Sequence, residues 1–149
     1  MRILIQRVTD AEILFEGKQV SSIRQGLLVL VCAMRGDQPD DCSRLARKLV
    51  RLRIFEDEDG KMNHDLRTIQ GEALLVSQFT LGADTSRGNR PGFSASSPPE
   101  EALALFKVFT EAVEAEGVAI KTGLFGKTTK IRLVNDGPTT IWIDSRQSG

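Results

Sequence analysis

Apolar residues fall into two rhythms along the chain. Ile3, Leu4, Ile5 and Val8 mark a first strand, and Ala11 to Phe15 with Gln19 to Ile23 read as the arms of a hairpin turning at Gly17-Lys18. Leu27 to Ala33 is a continuous apolar run, as expected for a strand buried on both faces. After Asp37 to Pro39 the period changes: Cys42, Leu45, Leu49 and Leu52 recur at steps of three and four, one face of a helix. Arg53-Ile54-Phe55 suggests a short strand before an acidic turn at Glu56 to Gly60, and Ala73 to Val76 a longer strand. Gly82 to Ser97, rich in Gly, Ser, Arg and Pro, reads as a long loop of the kind that carries function. A second helix is expected to start with Ser97 as cap, Pro98 at the first helical position and Glu100 completing a capping box. Its stripe is Ala102, Leu105, Phe106, Phe109, Ala112 and Val113, and Gly117 stops it. Strands follow at Val118 to Thr122, Thr129 to Val134 and Thr139 to Asp144. The expected architecture is α+β: a mostly antiparallel, barrel-like β-sheet assembly with two main helices. It forms a single domain over residues 1–145, with 146–149 as a disordered tail.

Composition narrows the function. The 149 residues carry 20 basic and 20 acidic side chains, so nucleic-acid binding would need a local patch rather than a global charge. The longest apolar run is too short for a membrane span, and the N-terminus reads as a strand rather than a signal peptide, which points to a cytoplasmic protein. Cys32 and Cys42 are expected to be reduced, partly buried thiols. One histidine and two scattered cysteines are a poor supply of zinc ligands, and Glu56 to Gly60 lacks the ligand alternation of a calcium loop. No phosphate loop, dinucleotide fingerprint or nucleophile elbow occurs, so no metal and no cofactor are expected. An enzyme built this way needs a substrate that is already activated or brings its own catalytic group.

Two polar motifs break the apolar pattern. Ser77-Gln78-Phe79-Thr80 follows an apolar strand, and Asn135-Asp136-Gly137-Pro138-Thr139-Thr140 lies between two. Singly, Thr80 is a strand residue satisfied by a neighbour and Gly137-Pro138 a turn, in which either isomer is accessible because cis X-Pro costs only about 0.5–1 kcal/mol. Together they closely resemble the D-aminoacyl-tRNA deacylases. So do Arg7-Val8 with Ala11, Gly60-Lys61-Met62-Asn63, Ala83-Asp84 with Gly88 and Arg90-Pro91, and Thr122-Gly123 with Phe125-Gly126, covering nearly the whole chain.

The resemblance implies an editing esterase that hydrolyses D-aminoacyl-tRNA, and glycine mischarged on alanine tRNA, with the tRNA assisting catalysis. It implies a homodimer in which a cis Gly137-Pro138 reaches the other subunit's pocket and rejects L-amino acids. Ser77, Gln78, Phe79, Thr80 and Phe125 would line the pocket, the backbone N–H groups of Phe79 and Thr80 would hold the oxyanion, and Arg7 would brace the Gly137-Pro138 turn. Arg87, Arg90, Lys127 and Lys130, with Lys121 and Arg132, are candidate tRNA contacts. The chain departs from the family at Lys127-Thr128-Thr129-Lys130, where a small residue and then a methionine are usual, and at Gly82, where alanine is common. Two other readings stay open: a non-catalytic tRNA-binding module of the same fold, and a small esterase pairing Ser77 or Thr80 with His64.

Overall fold

The computed structural model of the chain describes residues 1–147. Its spine is β1 (Arg2–Phe15). β2 (Lys18–Ile23) and β3 (Gly26–Cys32) pair with successive halves of one edge of β1, both antiparallel. β8 (Lys130–Asp144) runs antiparallel along the other edge, from Arg2 opposite Asp144 to Leu14 opposite Lys130. Beyond β3 the sheet becomes parallel, through β6 (Glu72–Ser77) and β7 (Ala119–Thr122). These parallel steps require crossovers. The first contains α1 (Pro39–Val50) and the small ribbon of β4 (Phe55–Glu56) with β5 (Met62–His64), and the second contains α2 (Pro99–Ala115). The expected α+β, barrel-like, two-helix architecture is present, with a mixed sheet.

Two cores explain the unbroken apolar runs. Ile3, Ile5, Leu27, Val29, Ala73 and Leu75 face the helices, against Leu45, Leu49, Phe109 and Val113. Leu28, Leu74 and Val76 face the opposite way and pack with Val8, Ala11 and Ile13. Central strands therefore bury both faces, which removes the period-two alternation from β3 and β6. Along β1, Ile3 and Ile5 serve the helical core, whereas Ala11 and Ile13 serve the other. The strand changes sides around Arg7 to Thr9, where its pairing with β8 also slips register.

Several local expectations are corrected. The apolar strand ends at Ser77, and Phe79–Gly82 is a 3₁₀ turn. Pro98, not Ser97, is the cap of α2, and no side-chain capping bond forms. Glu100 completes no box; the Ser97 hydroxyl instead donates to Glu101 at 3.2 Å. The strands expected at 129–134 and 139–144 are one strand, β8, bulging between them. Arg146 and Gln147, expected in a disordered tail, form a turn: the Gln147 N–H donates to the Asp144 carbonyl at 3.0 Å, and the Arg146 guanidinium reaches Asp37 at 3.3 Å and the Arg35 carbonyl. Residues 148 and 149 of that tail lie outside the described residues. Among the described residues, no helix is long and apolar enough to cross a membrane.

Candidate functional site

The end of β6 builds the wall of a cavity. The Gln78 N–H donates to the Val31 carbonyl at 2.7 Å, so Gln78 still rides on β3. The chain then tightens, with the Leu81 N–H donating to Gln78 O at 3.3 Å and the Ala83 N–H to Thr80 O at 3.1 Å. Phe79 is left 56% exposed, an unusual position for a phenylalanine, with its ring edge-on to Phe93 at 5.1 Å. Beside it opens a cavity of about 660 Å³, lined by Ser77, Gln78, Phe79, Phe93, Ser96, Leu124, Phe125, Lys127, Thr129 and Ile131, with Pro98, Pro99 and Ala102 from the start of α2. Apolar walls interrupted by the polar side chains of Ser77, Gln78, Ser96, Ser97, Thr128 and Thr129, with one cation, suit a ligand that carries an apolar body, hydrogen-bonding groups and a negative charge. Phe125 is held there by Phe106 of α2, at 6.1 Å between ring centroids.

Beneath the turn lies a small polar knot. The Phe79 carbonyl accepts from the Ser96 hydroxyl at 2.9 Å and from the Cys32 thiol at 3.4 Å. Burial pushes the Cys32 thiol above its ordinary value, although Ser96 and Arg2 pull the other way, so it serves as a neutral donor. Cys42, on the buried face of α1, is pushed by burial to about 11. Both thiols are free and buried.

The second motif is a loop pinned from below. Between Thr140 opposite Gln6 and Asn135 opposite Val8, β8 carries four residues where β1 has only Arg7. Residues 136–139 therefore bulge away from the sheet, and Gly137 and Pro138 are exposed. Arg7, only 5% exposed, runs under the bulge. Its Nη1 donates to the Ile54 carbonyl at 2.6 Å, and its Nε to the Asp136 carbonyl at 3.3 Å with the Asp136 carboxylate at 3.2 Å. Asn135 closes the loop's neck: its Nδ2 donates to Arg7 O at 2.9 Å and Thr139 O at 3.1 Å, and its Oδ1 accepts from Gln6 and Thr140, both at 3.3 Å. Gly137 has φ +95°, and a methyl there would overlap the Arg7 guanidinium. Sequence reasoning missed Asn135 as an individual site residue; an Asn at a strand-to-turn junction was the available signal.

The expected cis bond is corrected. No peptide bond among the described residues is cis, and Gly137-Pro138 is trans. The positive φ of Gly137 turns the chain instead, and the Thr140 hydroxyl donates to the Pro138 carbonyl at 3.2 Å.

The candidate residues thus divide. Ser77, Gln78, Phe79, Phe125 and Lys127 share the cavity, whereas Arg7, Gly137 and Pro138 form the loop and do not line it. Thr80 lies on the exposed side of the turn, its Oγ1 bonded to Gln78 Nε2, and does not line the cavity either. Arg87 and Arg90 are exposed on a loop closed by the Asp84–Gly92 bridge, and Lys130 is exposed at the start of β8. Arg132 pairs with Glu12 at 2.6 Å and so presents less free charge. His64 pairs with Phe55 in the small ribbon and is not part of the cavity wall. Ser96 was missed because a serine in a serine-rich loop carries no distinguishing pattern.

Three comparisons bear on this arrangement. The family model described as D-Tyr-tRNA(Tyr) deacylase matches residues 4–144. A D-aminoacyl-tRNA deacylase of Cereibacter sphaeroides (strain ATCC 17029) is 54% identical over 145 residues, covering 97% of this chain and 100% of the relative. One of Paracoccus denitrificans is 55% identical, covering 97% of each chain. A solved structure described as c-Myc DNA Unwinding Element Binding Protein superposes with a TM-score of 0.91 at 36% identity, covering 97% of this chain and 98% of its own.

Proposed function

The chain belongs to the D-Tyr-tRNA(Tyr) deacylase family, and from that premise we propose that it is a hydrolase that frees tRNA from D-amino acids by a tRNA-assisted, metal-independent route. Water attacks the ester carbonyl carbon, the bond to the ribose oxygen breaks, and that oxygen leaves with a proton as free tRNA and amino acid form. The ester is already activated, and the neighbouring ribose hydroxyl orients the water, which fits a site with no nearby histidine. The backbone N–H groups of Phe79 and Thr80 stabilise the developing oxyanion; positioned donors of this kind are worth about 10²–10³ in rate.

The observation that carries the reading is the division of the site. The exposed Gly137-Pro138 loop does not line the cavity beside Phe79, and that cavity takes none of its wall from the loop. A homodimer in which each loop enters its partner's pocket supplies both. The Gly137 carbonyl then accepts the substrate ammonium, its neighbours at Asp136 and Pro138 already holding donors. With ammonium and ester both fixed, one remaining direction at Cα opens to solvent and the other meets main chain. A D-residue or glycine fits and an L-residue clashes, so glycine on alanine tRNA is also a substrate. Lys127 at the cavity rim and Lys130, Arg87 and Arg90 outside it contact tRNA phosphates, in a cytoplasmic enzyme.

Deacylation of paired D-Tyr-tRNA and L-Tyr-tRNA, with and without EDTA, tests this. Loss of the D-ester alone, indifferent to chelator, is expected. Equal loss of both esters would remove the chiral argument, and binding without turnover would favour a non-catalytic module.

A further inference from the structure

We propose that Ser96 is a positioning residue for the reacting site, aiming the Phe79–Thr80 peptide, and that Gly82 keeps open the space its hydroxyl needs. The inference rests on the reading that the Thr80 N–H serves the ester, and it adds the group that orients that N–H.

In a planar trans peptide the carbonyl and the following N–H point in opposite directions. Fixing the Phe79 oxygen therefore fixes the Thr80 hydrogen. That oxygen is tied inward by the Ser96 hydroxyl at 2.9 Å and the Cys32 thiol at 3.4 Å, which sends the Thr80 N–H to the exposed side of the turn. Ser96 is itself immobilised. It is 6% exposed, and its own N–H donates to Phe93 O at 3.1 Å. The bonds Arg35 N–H to Ala95 O at 2.9 Å and Ser97 N–H to Ala33 O at 3.0 Å clamp it on both sides.

Gly82 completes the device. A methyl on residue 82 would overlap Ser96 Oγ, with Met34 Sδ at 3.2 Å and Ser96 Cβ at 3.3 Å closing the other directions. Positions 82 and 96 compete for one volume, and this chain gives it to a hydrogen-bond donor. The Ser96 hydroxyl is placed by rotation about one single bond, so an alanine at 82 pushes it off the Phe79 carbonyl without changing the residue at 96.

The test is a double-mutant cycle with D-Tyr-tRNA. Ser96→Ala is expected to lower kcat about fivefold to tenfold through misaimed geometry, with KM unchanged, and Tm lowered by about 2–4 °C. Gly82→Ala is expected to lower kcat similarly, and the double variant to be no slower than the worse single one, because both remove the same bond. Should Ser96→Ala fail to fold, Gly82→Ala carries the same reading. In parallel, replacing Thr80 by its α-hydroxy analogue exchanges the N–H for an oxygen, while also weakening the Phe79 carbonyl as an acceptor, and is expected to lower kcat further. An unchanged kcat in Ser96→Ala, with the analogue impaired, overturns the Ser96 role and leaves the oxyanion reading standing. An unimpaired analogue overturns that reading and the proposal with it. Multiplicative losses in the cycle overturn the shared volume.

Discussion

The two polar motifs solve opposite problems. Ser77 to Thr80 ends a strand at the mouth of a cavity, and much of its polar surface faces that space or solvent. Asp136 to Thr139 leaves a strand and returns to it, over a buried arginine whose bonds hold the loop up. Under the proposed function, one region is the receptor wall and the other the probe. Rigidity in the probe comes from below, through Arg7 and Asn135, so the exposed backbone of Gly137 and Pro138 keeps its shape without being covered. A steric filter needs this property, because a soft loop would yield to the wrong enantiomer.

Unseating the loop is expected to have the largest effect. Gly137→Ala forces a methyl into the Arg7 guanidinium at φ +95°. It is expected to cut D-Tyr-tRNA deacylation about 100-fold, the scale of a misplacement near 1 Å; a rate within a few-fold of the parent would show that the loop is no filter. A wall variant such as Thr129→Trp, which fills the cavity rim, should be comparably slow. Mixed after co-refolding, the two slow variants should recover about a quarter of the parent rate. In the proposed homodimer half of the dimers are then mixed, and each carries one intact site out of two. No recovery would mean that loop and cavity do not meet between subunits.

Smaller effects sharpen the picture. Thr80→Ala should keep deacylation within about tenfold if, as proposed, the backbone rather than the hydroxyl is the working group there; complete loss with normal tRNA binding would revive a threonine nucleophile. Lys127→Ala is expected to raise KM and to flatten the dependence of log KM on log salt by about one phosphate's worth. Arg132→Ala, already neutralised by Glu12, should change the slope less. The mildest test is acid. Burial works to raise the Asp144 carboxyl, but the Arg146 N–H and the Arg2 guanidinium prevail and hold it below the usual range. A lowered folded pKa contributes stability above the unfolded value of about 3.9 that is lost as pH falls through the folded one. Asp144→Asn should therefore lower Tm at neutral pH and lose less on acidification than the parent does.

Much of this was legible along the chain. The helix of Cys42, Leu45 and Leu49 and that of Leu105, Phe109 and Val113 declare themselves by period, because each buries only one face. The hairpin of β1 and β2 declares itself by its turn. The cavity residues Ser77, Gln78, Phe79 and Phe125 were reachable through motifs. The 3₁₀ turn was not, since its bonds join residues three apart whose side chains resemble those of a strand end. Nor was the start of α2, where Ser97 and Pro98 satisfy the usual capping pattern, yet the chain enters one residue later.

The helices, most strand centres, the balance of charge and the two motifs follow from the chain alone, because each depends on neighbours within a few positions. Folding is what brings Arg7 beneath Gly137, lets Ser96 and Cys32 share the Phe79 carbonyl, and sets positions 82 and 96 against one volume. Those facts depend on the register of β1 against β8 and on a loop folded back over the end of β3. Register brings together residues more than a hundred positions apart, and no local pattern of apolar and polar residues encodes which side chains then meet.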